Sequence, residues 1–153
     1  MAEKKPNTRL EAFSDGVFAI ALTLLIIDIK IPSTVEITNT VEFWLVLKHI
    51  APSVFAFLLS FIIILITWVN HHNYLKLLNK SCSSFIYANG FLLLTVVFIP
   101  FPTSLQGEFL FTDHAAPAVL LFNAVLALQA IGWILITLTA DKNHLCKSEQ
   151  AIL

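Results

Sequence analysis

Charge is scarce in this sequence. Only 12% of its 153 residues are Asp, Glu, Lys or Arg, against about 25% in an ordinary soluble domain. The net charge is −1, so no overall field invites nucleic acid, and none is expected as a partner. Four glycines in the whole chain argue against a glycine-rich phosphate loop. The two cysteines, Cys82 and Cys146, stand far apart with no CxxC spacing, which gives neither a disulfide framework nor a zinc pattern. They read as ordinary buried or inward-facing thiols.

What fills the sequence instead is hydrocarbon: 58% of residues are hydrophobic and the mean hydropathy is +0.83. Such a composition makes lipid the main solvent. A hydrocarbon core of about 30 Å needs about 20 helical residues, and four segments fit, at about 9–31, 41–70, 82–99 and 115–140. Alternation of the kind that marks barrel strands is missing. In lipid every backbone polar group must be paired within its own segment, which leaves helices. The expected fold is therefore all-α: a polytopic membrane helical bundle with four transmembrane helices in a single domain over residues 1–153.

The apolar run after Lys4 and Lys5 contains Asp15 and Asp28 and has no small-residue cleavage site, so it reads as a retained span rather than a signal peptide. Thr8 and Glu11 form a capping-box pattern at its start. Pro52 sits in the first turns of the second span, and Pro100-Phe101-Pro102 is expected to close the third. Lys4, Lys5, Arg9, Lys76, Lys80, Lys142 and Lys147 fall on one side of this topology, Lys30 and Lys48 on the other. The positive-inside rule then places both termini in the cytoplasm of a multi-pass cell-membrane protein. Trp44 and Trp68 suit interface anchors, whereas Trp133 lies deeper and is expected to pack on another helix.

The first span is unlike the others. At 100° per residue, Phe13, Gly16, Leu24 and Ile27 fall within about 40° of Ile20, with Thr23 and Val17 at the margins, while Asp15 points about 140° away. One stripe is almost purely apolar, and Ser14–Asp15 looks toward neighbouring helices. A carboxylate inside a membrane needs a partner or water. Trp68-Val69-Asn70-His71-His72 ends the second span on the same side. The expectation is one polar cluster of Ser14, Asp15, Arg9, Asn70 and a histidine that fixes helix packing. Adjacent histidines diverge by about 100° on a helix, and no third ligand is evident, so no metal site and no cofactor is expected.

Arg9-x-x-x-Phe13-Ser14-Asp15 resembles the RxxxFSD signature of the transmembrane protein 175 family of potassium channels, especially its prokaryotic members. Trp68-Val69-Asn70-His71-His72 and Phe98-Ile99-Pro100-Phe101-Pro102-Thr103 also match what that family shows at the ends of its second and third helices. The resemblance implies a potassium-permeable homotetramer, not an enzyme, with the first helix lining a central pore and potassium as the permeant ion. It implies a constriction of aliphatic rings at Ile20, Leu24 and Ile27, a hydroxyl at Thr23, and a structural role for Phe13, Ser14 and Asp15. No carbonyl-lined filter loop occurs here. The family's prokaryotic members have six helices per subunit. Four are expected in this chain, since the twelve residues after Asp141 are too few for another.

Two other readings compete on the sequence alone. One is a small membrane haem or metal protein using His71 and His72; His49 and His114 both lie near the outer side, so no intramembrane pair faces another. The other is a non-conducting scaffold whose first-helix face simply packs.

Overall fold

The computed structural model describes residues 7–27, 29–30 and 37–145. Five helices occupy them: α1 Thr8–Ile27, α2 Thr40–Lys76, α3 Ser83–Phe98, α4 Pro100–Phe109 and α5 Ala115–Lys142. Taking α3 and α4 as one continuous column, four helices are long and apolar enough to cross a membrane.

α1 starts one residue earlier than its capping signal implies. Asn7, not Thr8, flanks the helix, and its carbonyl accepts from Glu11 N at 2.9 Å. The helix ends at Ile27, short of the expected 31. Ile29 and Lys30 are not helical, and residues 28 and 31 lie outside the described set.

α2 opens on a reciprocal cap. Asn39 Oδ1 accepts from Glu42 N at 2.9 Å, and the Glu42 carboxylate accepts from Thr38 N and Thr38 Oγ1, each at 2.7 Å, satisfying donors that the first turn leaves free. The helix runs 37 residues, about 55 Å at 1.5 Å per residue. It passes Pro52 without ending and continues to Lys76, beyond the expected stop at Asn70. The reason is a single buried stripe, Ala56, Ser60, Ile64, Thr67, His71 and Leu75, at three- and four-residue spacing. Its last two members lie past Asn70 and keep the helix docked.

The third span differs from expectation more sharply. Pro100 and Pro102 do not close it; they begin α4. Proline lacks an N–H and breaks a helix interior, yet is tolerated in a first turn, where that N–H has no partner in any case. The result is an interruption of the hydrogen-bond ladder at Ile99, whose backbone dihedrals stay helical, and then ten more helical residues.

α3 buries Phe85, Ala88, Asn89, Leu92, Leu93, Thr95 and Val96. α5 lies along it and buries Phe122, Val125, Gln129, Gly132 and Ile136 within the bundle. At Gly132 an added Cβ would stand 3.1 Å from Leu92 Cα. α4 crosses α2 more closely still, with Gly107 against Ser53. α1 packs on α2 and α3 and touches α4 at its far end. Trp133 packs inside the bundle, its ring 6.2 Å from Tyr74 and 6.3 Å from His71.

Up–down topology puts the start of α1, the α2–α3 turn and the end of α5 at one end. Asn7 Nδ2 donates to Leu78 O at 3.4 Å there, and Asn79 N to Leu145 O at 2.9 Å. Arg9, Lys76, Lys80 and Lys142 gather at that end, whereas Glu42, Glu108 and Asp113 lie at the other.

Candidate functional site

Two faces of α1 carry different chemistry. Ser14, Phe18, Ala21 and Leu25 are buried and form the contact with α2 and α3. On the opposite side Phe13 is 63% exposed, Ile20 58%, Leu24 38% and Ile27 71%. Thr23 lies on the exposed side with its hydroxyl donating to Ile20 O at 2.9 Å. That leaves the Thr23 oxygen with lone pairs directed away from the helix. Gly16 is also exposed, with open space where a side chain would be.

Behind this stripe the polar residues form two hydrogen-bonded connections. Asn89 Nδ2 donates to Ser14 Oγ at 3.1 Å, and Asn89 Oδ1 lies 2.6 Å from His71 Nε2. One amide therefore ties α1, α3 and α2 together, and all three residues are buried. Separately, Trp68 Nε1 donates to Asp15 Oδ1 at 2.8 Å, and the His72 ring stacks on Trp68 at 5.8 Å. Phe18 meets the His71 ring at 5.3 Å.

The expected cluster is thus split and partly re-membered. Ser14, Asp15, Trp68, His71 and His72 come together as described. Phe13 stays on the exposed side. Arg9 and Asn70 are exposed and take part in neither connection. Asn89, which sequence reasoning passed over, is the central member. Its signal was available: it is an amide set within an otherwise apolar span. Two further polar pairs hold other crossings. Thr103 Oγ1 donates to Ile99 O at 2.8 Å and so accepts from Ser60 Oγ at 2.6 Å. Gln129 Nε2 donates to Thr67 Oγ1 at 3.2 Å.

His71 and His72 do not form a ligand pair. Nε2 of His71 is engaged by Asn89, and Phe18 and Trp133 enclose its ring. Among the described residues no group of three or more His, Cys, Asp or Glu side chains could hold a metal ion.

Residues 9–100 match the family model described as endosomal/lysosomal potassium channel TMEM175. The chain belongs to the TMEM175 family. The matched region contains the exposed stripe and all of the Ser14–Asn89–His71 connection. A relative from Chamaesiphon minutus named a potassium channel is 44% identical over 129 residues, covering 84% of this chain and 63% of its own. A second, from Streptomyces collinus and also named a potassium channel, is 40% identical over 131 residues, covering 82% and 62%. This chain spans a little over three fifths of the length of these curated relatives. The fold matches the crystal structure of a lysosomal potassium-selective channel TMEM175 homolog from Chamaesiphon minutus. The TM-score is 0.82 at 42% identity, over 92% of this chain and 75% of that one. A TMEM175 member with four membrane-crossing helices is a multi-pass membrane protein.

Proposed function

We propose that this chain forms a potassium-permeable channel in the cell membrane, assembled as a homotetramer with α1 of each subunit at the central axis. The supporting observation is the division of α1 into a buried, hydrogen-bonded face and an exposed stripe of Ile20, Leu24 and Ile27. An apolar stripe alone suits lipid equally well. This one runs beside exposed Ala12, Gly16, Ala19 and Thr23, and small residues let membrane helices approach one another closely. The relatives named as potassium channels point the same way.

Four such stripes about an axis make rings of Ile20, Leu24 and Ile27, a narrow neck that gates by dewetting. Four Thr23 hydroxyls add oxygen atoms beside it. Nothing in this arrangement makes or breaks a covalent bond. The basic end of the bundle, with both chain termini, faces the cytoplasm by the positive-inside rule.

The decisive experiment is potassium flux against sodium flux in protein reconstituted into lipid bilayers. Ile20→Asn and Leu24→Asn should each change conductance or selectivity, and unaltered currents in both would overturn the pore assignment. Light scattering in mild detergent should give the mass of four subunits. A monomer would instead favour a non-conducting scaffold.

A further inference from the structure

His71 is 1% exposed and sits where α1, α2, α3 and α5 meet. The amide of Asn89 settles which ring nitrogen carries hydrogen. Because Asn89 Nδ2 donates to Ser14, Oδ1 is the atom facing His71 and must accept, so Nε2 is the protonated nitrogen and Nδ1 is the bare one. Nδ1 is buried and has no hydrogen-bond partner. It is a base enclosed by the rings of Phe18 and Trp133.

We propose that Nδ1 of His71 is a proton-binding site whose occupation releases α1 from α2 and α3. A proton there creates a cation with a second N–H. Asn89 Oδ1 already serves the first, and the adjoining rings of Phe18 and Trp133 offer no acceptor. The charged or titratable groups acting on this ring are Asp15 on α1 and His72 on α2. Asp15 Oδ1 is held by Trp68. α3 presents the neutral Asn89 and α5 the neutral Trp133. Tyr74 of α2 packs against Trp133. The new N–H therefore finds a partner only if water enters, and water enters only if the Ser14–Asn89–His71 connection opens. The open arrangement binds the proton more tightly than the packed one, so acid shifts the population toward it. Histidine is the side chain whose unperturbed charge change falls between about pH 5 and 8, so the test spans that range.

Because α1 carries the exposed stripe, its release reaches the proposed pore. The inference rests on the channel reading only for its electrical readout. The spectroscopic test stands apart from it: spectra of the full chain with 15N-labelled histidine and asparagine, in lipid nanodiscs, from pH 8 to pH 5. At pH 8 His71 should appear as the Nε2–H tautomer. Acid should convert it to imidazolium together with faster exchange of the Asn89 side-chain amide. In bilayers the potassium current should fall about tenfold over the same range, a coupling of ordinary size between two sites. His71→Gln, which keeps a donor for Asn89, should flatten that dependence. An Nδ1–H tautomer, a ring still neutral at pH 5, or an unchanged pH dependence in His71→Gln would each overturn the proposal. Absence of any wild-type current would count against the channel reading, with the spectra still deciding the proton site.

Discussion

Replacing Asn89 by leucine tests the connection between the three helices most directly. Leucine has nearly the shape of asparagine, so packing changes little and the loss falls on polar groups. Ser14 loses a donor, but its hydroxyl can turn to a carbonyl of its own helix. His71 has no such alternative: its Nε2–H is left in a buried site where Nδ1 already lacks a partner. An orphaned buried donor costs about 1–3 kcal/mol, whereas hydrogen bonds between membrane helices average about 0.6 and reach about 1.7 kcal/mol. Together these bracket a cost of about 1–2 kcal/mol, on the order of a tenfold shift in the unfolding equilibrium. Unfolding in mild detergent, titrated with SDS, measures it. The companion variant sharpens the test. His71→Phe in the Asn89→Leu background removes the stranded donor and keeps a ring against Phe18 and Trp133. Removing both partners is close to neutral where removing one is not, so the double variant should regain most of the loss. A neutral Asn89→Leu, or a double variant less stable than the single, would refute the reasoning.

Gly107→Ala and Gly90→Ala make the same chemical change with opposite expected signs. Both gain about 1 kcal/mol of helix propensity. At Gly107 the new Cβ would lie 2.8 Å from Ser53 Cα, an overpacking that costs about 1–3 kcal/mol, so Gly107→Ala should be the less stable in the same SDS titration. At Gly90 nothing lies within 4 Å, and the variant should match or exceed the parent. Trp68→Phe keeps a ring beside His72 but removes the donor to Asp15. Because Asp15 is only half-buried, the loss should be about 1 kcal/mol, below the range for a fully desolvated charged hydrogen bond. It should show as a lowered unfolding midpoint in the same titration.

The membrane-crossing helices were legible because length and hydropathy suffice for them, and the two faces of α1 because angular position on a helix is arithmetic. The reach of α2 was not, since the apolar run fades near Asn70. The stripe that continues through His71 and Leu75 is visible only once Ile64 and Thr67 are known to be buried. The prolines at 100 and 102 read as a stop because a proline's effect depends on whether it stands in a helix interior or a first turn, and sequence alone does not say which. The polar cluster was half legible. Polar side chains inside a membrane must find partners, which pointed to Ser14, Asp15 and a histidine, and each of these makes a side-chain hydrogen bond. Which partners they find depends on helix crossings. Those crossings bring Asn89 between α1 and α2 and leave Arg9 and Asn70 outside.

Seen down the axis of α1, the two hydrogen bonds explain why the large aliphatic side chains point outward. Ser14 lies about 120° to one side of Ile20 and Asp15 about 140° to the other, by the 100° step. Their partners, Asn89 on α3 and Trp68 on α2, therefore grip the back of the helix from both flanks. A roll of 40° would carry a side-chain atom at a radius of about 5 Å through about 3.5 Å, far more than a hydrogen bond tolerates. Rolling either way breaks both bonds at once. The polar residues need never touch an ion to matter for the proposed channel: by clamping the rotation of α1 they decide that Ile20, Leu24 and Ile27, rather than the buried Phe18 and Leu25, are presented to whatever lies in front of that face.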